Sequence, residues 1–259
     1  LQLGTGVNAA GGNFVYWTWK AGSNTTTSSV TNTSGSITSQ VSANPAAGFS
    51  IVSYTSPNTL VDETVGHGLG AAPHFIIAKN RDNTYNWDIY HKNLSSGYGL
   101  VFAGDAQASG RWPTTAPTSS VFSVKYNYEH YSTNKYIAYC WTAISGYSSF
   151  GSWVGNGSTD GPFIYLGFRP KFVLYKRSDA LGNDWTIHDS TRDYYNGYSV
   201  ELYASVNNAE GGPYSPPVFD FLSNGLKIRS ATASYTNTSG GTYVYAAFAE
   251  VPFKFARAR

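Results

Sequence analysis

The sequence predicts an all-β protein built from two tandem, sequence-related antiparallel β-sandwich units of the jelly-roll-like type. Aromatic residues make up 16% of the chain and charged residues only 12%. Disordered chains are poor in aromatics and coiled coils are rich in charge, so both classes are excluded. Turn-forming stretches such as NRDN, SSGYG and SNG separate runs rich in Val, Ile, Tyr and Phe. That pattern is typical of strands joined by tight turns.

An internal repeat is the third observation behind this prediction. HFIIAKNRDNTYNWDIYH, from His74, matches KFVLYKRSDALGNDWTIH, from Lys171. GFSIVSYT and SSFGSWVG precede these blocks, and SSVFSV around Phe122 matches PPVFDF around Phe219. KYIAYCWTAI and TYVYAAFAEV then close the two copies. The constant order indicates a tandem duplication in which loops absorb the differences in spacing.

Each copy is predicted to hold about six strands in about 100 residues, the size of a small β-sandwich. In the first copy the strands lie near FSIVSYT, HFIIAK, WDIYHK, GLVFAG, SVFSVKY and YIAYCW. FIIA and FVLY are continuous apolar runs, which favours strands covered on both faces. Alternation in WDIYH places Trp87, Ile89 and His91 on one face, with Asp88 and Tyr90 on the other.

We predict a first unit over residues 48–146 and a second over residues 147–259. Residues 1–47 are expected to hold the end of a preceding unit and a Ser/Thr-rich connector, since NFVYWTWKAG looks like a third closing strand. Together with the absence of Met, this predicts a parent chain that continues upstream. The connector suits either a disordered, O-glycosylated stalk or ordered extended structure, and both alternatives stay open.

Enzymatic chemistry is not expected from the motifs of this chain. It contains no GxSxG, HExxH, CxxC or P-loop signature and no GxGxxG after a strand. No metal site and no cofactor is expected either. A glycosidase needs a carboxyl pair at a defined separation, which a sequence cannot supply. The acids that qualify by type are Asp88, Asp160, Asp184, Asp189 and Glu201.

Two other reactive side chains have structural interpretations. His67 in VGHGLG lies between glycines that allow close backbone approach, and we interpret it as a structural turn histidine rather than a ligand. Cys140, the only cysteine, lies in the apolar run YIAYCW and is expected to be a buried, inert thiol.

Aromatic residues provide the candidate binding surface. Trp17, Trp19, Trp87, Trp141 and Trp185 recur at repeat-equivalent places and are predicted to lie in the core. Tyrosines also cluster in the loop-like stretches KYNYEHYS and RDYYNGYS, where rigid aromatic rings suit contacts with sugars or protein surfaces. The alternative is that Tyr is simply a strand and rim residue in this chain. The candidate binding residues are Tyr126, Tyr128, Tyr131, Tyr194, Tyr195 and Tyr198.

Charge and hydropathy exclude two classes of partner. The net charge is +2, and the only dense basic cluster is Lys254, Arg257 and Arg259. Nucleic-acid binding needs a basic face, so it is not expected. No apolar stretch approaches the roughly 20 residues of a membrane span.

The repeat blocks also carry a family resemblance. GHGLG-x-x-P before an apolar strand, with the closing AAFAE-x-PF, resembles a repeat region in virion proteins of marine tailed bacteriophages. The likeness runs from about Asn13 to Phe253 and is to the C-terminal part of tail-fibre or related appendage proteins. The copies diverge at VGHGLG and IYLGFR, which argues against one ligand site shared by both.

The resemblance implies a structural, surface-exposed virion component that acts by assembly and host attachment. Its implied partners are other virion proteins, further copies of itself (a trimer is one option) and a host surface glycan serving as receptor. It implies no catalytic residue. The alternatives are a carbohydrate-binding module, a capsid decoration protein and, as the least favoured, a glycan depolymerase.

Overall fold

The fold consists almost entirely of antiparallel strands, which confirms the all-β prediction. A computed structural model describes residues 11, 14–22, 29–56, 61–124, 133–193, 196–231 and 234–249. The strands of the first half are β1 (Val30–Asn32), β2 (Ser39–Asn44), β3 (Phe49–Thr55), β4 (Glu63–Gly66), β5 (Phe75–Asn80), β6 (Trp87–His91), β7 (Tyr98–Val101), β8 (Ala108–Ser109), β9 (Val121–Val124) and β10 (Lys135–Trp141). One short 3₁₀ helix, Pro45–Ala47, follows β2.

The second half contributes another nine strands. They are β11 (Ser148–Val154), β12 (Phe163–Tyr165), β13 (Pro170–Arg177), β14 (Thr186–Asp189), β15 (Ser199–Tyr203), β16 (Gly211–Tyr214), β17 (Phe219–Leu222), β18 (Gly225–Ile228) and β19 (Thr242–Ala249).

Each half forms one large and one small sheet. Main sheet 1 has the order β1-β2-β3-β10-β5-β6-β7-β8, and cover sheet 1 is the pair β4-β9. Main sheet 2 has the order β11-β19-β13-β14-β15-β16, and cover sheet 2 is β12-β18-β17. The order of main sheet 2 therefore repeats the β3-to-β8 part of main sheet 1. In each, the closing strand (β10 or β19) lies between the first strand and the apolar FIIA or FVLY strand.

The hairpin β1–β2 extends main sheet 1 beyond the part that the two halves share. β2 pairs antiparallel with β3, with Val41 opposite Val52. The side chain of Asn44 accepts a hydrogen bond from the N–H of Ala47 and caps the 3₁₀ helix. The Ser/Thr-rich segment is thus ordered over residues 29–47, while residues 23–28 lie outside the described part.

The sheets stack as four layers around three apolar cores. In the first half, one face of main sheet 1 packs on cover sheet 1 around Val52, Ile76 and Phe122. In the second half, main sheet 2 packs on cover sheet 2 around Val173, Phe219 and Tyr243. The remaining faces of the two main sheets pack on each other. The FIIA and FVLY strands are consequently covered on both faces, as predicted.

We call the layer between the two main sheets the inter-unit core. It contains buried side chains from both halves, and rings make up half of them: Phe49, Phe75, Ile77, Ile89, Leu100, Trp141, Phe150, Phe172, Leu174, Trp185, Ile187, Val244, Ala246 and Phe248. Burial of this much apolar and aromatic surface is the main stabilising term for holding two β-sheets face to face.

Hydrogen bonds also connect the two halves. The indole Nε1–H of Trp185 donates to the Val101 carbonyl oxygen over 2.7 Å. The His91 Nε2–H donates to the Tyr245 carbonyl oxygen over 3.0 Å. Around the core, the N–H of Gly182 donates to the carbonyl oxygen of Gly104 over 2.7 Å. These bonds fix the relative position of the main sheets in a way that apolar contact alone does not.

The tryptophans divide into three groups, which corrects the prediction that all five lie in the core. Trp141 and Trp185 are buried in the inter-unit core. Trp17 and Trp19 are half-buried and pack against its rim. Trp87 is 39% exposed, because it lies at the end of β6 where main sheet 2 no longer covers the sheet.

The leading segment forms no strand over residues 14–20, although NFVYWTWKAG looks like a closing strand. A closing strand lies between two neighbouring strands of its sheet. In the two main sheets this position is held by β10 and β19. Instead, the Trp19 ring contacts both halves, with centroid distances of 6.0 Å to Trp141 and 5.2 Å to Phe248.

His91 makes the contact between the halves sensitive to acid. Its Nε2–H donates to Tyr245, so its Nδ1 must be unprotonated to accept from the N–H of Asn93, 3.2 Å away. Burial lowers the pKa of His91 to about 4. The contribution of neutral His91 to the free energy of unfolding is complete above its unfolded-state pKa of about 6.5. It is lost as pH falls towards the folded-state pKa.

We therefore expect acidification from pH 7 to pH 4 to cost the native state about 3 kcal/mol through His91 alone. In a His91→Gln variant, the amide can still donate to Tyr245 and does not titrate, so its stability should change less over this range. Urea unfolding at several pH values measures the difference. An identical pH dependence in both proteins would contradict this role.

Candidate functional site

A large groove lies beside the leading segment, at the edge of the inter-unit core. Its volume is about 880 Å³, within the range of small-ligand sites. One wall is formed by residues 14–19 and the other by main sheet 2. The lining residues are Phe14, Val15, Tyr16, Trp17, Thr18, Trp19, Tyr147, Lys171, Phe172, Asp189, Thr191, Arg192, Leu202, Glu210, Phe248 and Ala249.

Aromatic rings form the first wall of the groove. Trp17 anchors it, with its ring 5.2 Å from that of Phe172 in an edge-on arrangement. Phe14 and Tyr16, on either side of Val15, are 44% and 45% exposed, and their rings stack at 6.4 Å. Trp17 and Trp19 are half-buried and anchor the leading segment to the inter-unit core. Phe14 and Tyr16 expose their aromatic rings to solvent.

An arginine between two acids forms the second wall. The Arg192 Nε–H donates to Asp189 Oδ2 over 2.6 Å, and its Nη1–H donates to Glu210 Oε2 over 2.9 Å. Asp189 Oδ1 also accepts from the N–H groups of Thr191 and Arg192, which fixes the turn after β14. Lys171 contributes a second cation. The four charges balance, so the groove combines aromatic faces with polar groups and carries no excess of either sign.

Most of the predicted tyrosines lie outside the described residues. This applies to Tyr126, Tyr128, Tyr131, Tyr194 and Tyr195. Tyr198 is described; it lies directly before β15 and is half-buried. These residues therefore remain predictions, and the groove is formed by other side chains.

The five acids considered for glycosidase chemistry lie at separate places. Asp88 is buried in an ion pair with Arg111 at 3.2 Å. Asp160 is exposed and pairs with Lys227 at 2.7 Å. Asp184 accepts from the Ser205 hydroxyl over 3.0 Å. Asp189 belongs to the groove, and Glu201 to a buried cluster described below. Each has a local structural partner.

His67 and Cys140 have the structural surroundings that the sequence predicted. The His67 Nε2–H donates to the Thr118 carbonyl oxygen over 3.1 Å, and its Nδ1 accepts from the N–H of Leu69 over 3.2 Å. Both ring nitrogens are used, and burial lowers the pKa of His67. Cys140 is buried in main sheet 1, and burial raises the pKa of its thiol.

A buried charged cluster in the second half was not predicted. His188 on β14 lies between two acids, with its Nδ1 2.9 Å from Asp193 Oδ2 and its Nε2 3.7 Å from Glu201 Oε1. All three side chains are almost fully buried. Asp193 Oδ1 accepts from the N–H of Val200, and Glu201 Oε2 accepts from the hydroxyl of Tyr203. The second contact of His188 is too long for a good hydrogen bond.

Within the cluster, the pKa values of His188 and Glu201 are shifted towards the charged forms. Burial acts to lower the pKa of His188, but the hydrogen bond to Asp193 and the negative charges of Asp193 and Glu201 outweigh it, so the pKa is raised. Burial acts to raise the pKa of Glu201, but the nearby His188 and the hydroxyl of Tyr203 outweigh it, so the pKa is lowered. Both shifts favour the charged pair, which is enclosed in protein and separate from the groove.

One sequence signal could have located this cluster. His188 is the repeat equivalent of Tyr90, on the face of β14 that points to the cover sheet, where its ring packs 5.2 Å from that of Phe219. A titratable residue at a core-facing position needs a partner. Asp193 and Glu201 lie 5 and 13 positions further along the chain, on the loop and the strand that follow β14.

A lysine near the start of each hairpin loop has the same role in both halves. Lys79 Nζ donates to the Tyr85 carbonyl oxygen over 2.6 Å, and Lys176 Nζ donates to the carbonyl oxygen of Asn183. Burial lowers the pKa of Lys176 to about 8. The two lysines therefore anchor the loops that precede β6 and β14.

Within the described part of the chain, no three acidic, histidine or cysteine side chains are grouped closely enough to hold a metal ion. The same residues contain no helix of the length and hydropathy needed to cross a membrane.

Fold and groove together define a protein of two stacked β-sandwich units, with a mixed aromatic and charged groove between the leading segment and main sheet 2. The chain belongs to DUF7483, a family described as a domain of unknown function, whose model matches residues 2–252. No curated protein and no solved structure matches the chain.

Proposed function

We propose that this chain is a structural component of a tailed-bacteriophage virion, from a tail fibre or related appendage, where it serves assembly and host-surface binding. The observation that carries the proposal is the inter-unit core. Two copies of one unit share a buried aromatic layer and hydrogen bonds such as that from Trp185 to Val101. A protein displayed outside the cell needs this kind of resistance to local unfolding, because opening either unit exposes the shared layer.

The resemblance of the repeat blocks to appendage proteins of marine phages supports the same proposal. The groove adds a surface through which such a component would contact a host. Trp17 and Arg192 in its two walls are held by contacts with Phe172 and with Asp189 and Glu210, which suits recognition better than turnover.

Virion proteomics tests this proposal. Particles of a phage that encodes this sequence would be purified by density gradient and digested for mass spectrometry. We expect its peptides in the particle fraction, together with those of the major structural proteins. Antibody labelling in electron micrographs then separates a tail location from a capsid location. Peptides found only in the infected-cell lysate, and not in the particles, would contradict the proposal.

Carbohydrate binding in the groove is a second candidate function, and the exposed rings of Phe14 and Tyr16 favour it. Aromatic faces stack on the apolar faces of sugar rings. Arg192, Glu210 and Lys171 are within the same groove and can exchange hydrogen bonds with hydroxyl groups. Because the groove charges balance, a neutral glycan fits it better than a strongly acidic one.

A Tyr16→Ala variant tests the groove as a glycan site. Removing one stacking ring should weaken binding by about two- to tenfold, since a stacked ring is worth about 0.5–1.5 kcal/mol. A glycan array finds the ligand, and calorimetry compares the proteins. Tyr165→Ala is the matched control, because Tyr165 is 68% exposed on cover sheet 2 and does not line the groove. An array without any binder, or equal weakening by both variants, would count against this function.

A further inference from the structure

The edges of the two main sheets are not equally protected against pairing with another chain. Unpaired edge strands attract further strands, and proteins limit this with short edges, prolines or charges. In main sheet 1, the edge strands β1 and β8 have three and two residues. In main sheet 2, β16 contains Pro213. The opposite edge, β11, has seven residues, SSFGSWV, with no proline and no charge.

The unpaired groups of β11 follow from its register with β19. The N–H of Ala249 donates to the Tyr147 carbonyl oxygen, and the N–H of Gly155 donates to that of Gly241. In an antiparallel pair such bonds recur at every second residue. The N–H and C=O groups of Phe150, Ser152 and Val154 therefore point away from β19, and they have no partner among the described residues.

In the first half, the sheet edge equivalent to β11 is paired with a further strand. The equivalent strand β3 is covered by β2, whose sequence SQVSAN is uncharged and pairs antiparallel. The link before β11 cannot supply such a strand, because residues 142–147 form a turn in which the N–H groups of Tyr147 and Ser148 both donate to Ile144. Among the described residues, the same sheet position is thus filled in one half and open in the other.

We propose that β11 pairs antiparallel with β11 of a second copy of this chain, about a two-fold axis through Gly151. In this register Phe150 faces Ser152 of the other copy, and Ser148 faces Val154. About six backbone hydrogen bonds form, using the outward groups of the strand. The two glycines meet at a close, non-hydrogen-bonded position, where the absence of side chains suits the approach.

Charge and exposure both favour a second copy as the occupant. An uncharged strand can pair with itself without bringing like charges together. A two-fold contact uses the same patch on both copies. Val154, which is 58% exposed, would then lie beside the backbone and side chains of the other strand. The inference stands on the sheet edge alone and does not depend on the proposed virion role.

Sedimentation velocity of the intact chain, from about 1 µM to about 1 mM, tests the proposal, since a modest edge contact has a dissociation constant in this range. We expect reversible dimerisation. Ser152→Pro removes an outward N–H without touching the bonds to β19, and it should weaken the dimer at least tenfold. Val154→Lys places two charges at the contact without altering the backbone and should also weaken it. Ser152→Thr, which keeps the N–H, is the matched control.

Hydrogen exchange of peptides covering residues 148–155 adds a readout at the strand itself. Exchange should slow at high concentration in the wild type and in Ser152→Thr, but not in Val154→Lys. A wild type that stays monomeric throughout the range overturns the proposal. A dimer that forms equally well with Ser152→Pro and Val154→Lys overturns it too, because the contact then lies elsewhere.

Discussion

Replacement of Trp185 by alanine is expected to lower the free energy of unfolding by about 3–5 kcal/mol, as for other fully buried large aromatic residues. The Trp185 side chain is 0% exposed. Its ring centroid lies 5.4 Å from that of Phe102 in the other half, and its indole donates to Val101. The substitution therefore opens a cavity between the main sheets and leaves the Val101 carbonyl oxygen without this donor.

Trp87→Ala is the matched control, because Trp87 is the repeat equivalent of Trp185 on the same face of its strand. With 39% of its surface exposed and no such hydrogen bond to the other half among the described residues, Trp87 should contribute clearly less stability than Trp185. Urea unfolding followed by tryptophan fluorescence and far-UV circular dichroism measures both variants. Trp185→Phe separates the hydrogen bond from the ring. Equal losses for Trp185→Ala and Trp87→Ala would contradict the inter-unit core.

Replacement of His188 by alanine is expected to have an effect of similar size, about 3–5 kcal/mol, because it leaves buried carboxylates without their counter-charge. Asp193 lies 2.9 Å from the ring and Glu201 3.7 Å from it. A triple variant that combines His188→Leu, Asp193→Asn and Glu201→Gln removes the charges together. It should recover much of the lost stability, since replacing a whole buried ion cluster is often neutral.

The cluster also predicts a pH dependence with a definite sign. The pKa of His188 is raised in the folded state, so its contribution is complete below pH 6.5 and is lost as pH rises through the folded value. The pKa of Glu201 is lowered, so its contribution is complete above about pH 4.5 and is lost as pH falls through the folded value. The cluster therefore stabilises the fold most between these limits.

Urea midpoints measured from pH 4 to pH 9 test this dependence. The wild type should lose stability as pH rises above 6.5, and His188→Ala should lose less over the same range. Tyr90→Ala alters the equivalent position in the first half and should leave the pH slope of the wild type unchanged. A slope that is the same in the wild type and in His188→Ala would exclude the cluster as its source.

The sequence predicted the elements of the fold better than their assembly. Composition and turns indicated an all-β chain, and the continuous apolar runs in FIIA and FVLY indicated strands covered on both faces. Alternation in WDIYH correctly placed Ile89 and His91 on one face. It could not show that this face meets main sheet 2, because a period of two residues defines a face and not its partner. For the same reason it did not distinguish exposed Trp87 from buried Trp185.

The candidate site was harder to predict because its parts are distant in the sequence. The groove brings Phe14 and Tyr16 together with Arg192 and Glu210, which become neighbours only because the leading segment lies against main sheet 2. The tyrosine clusters were chosen on local composition, and Tyr198 alone among them lies in the described part. For the charged cluster, the core-facing position of His188 indicated that it needs a partner, but the sequence did not identify Asp193 and Glu201 as the two acids that meet it.

We expect the two repeats to unfold as one cooperative structure, and differential scanning calorimetry of the intact chain measures this. A shared inter-unit core predicts a single transition in which the calorimetric and van't Hoff enthalpies agree. Trp185→Ala should lower the temperature of that whole transition. Two resolved transitions in the wild type, each with the enthalpy of one unit, would contradict this expectation.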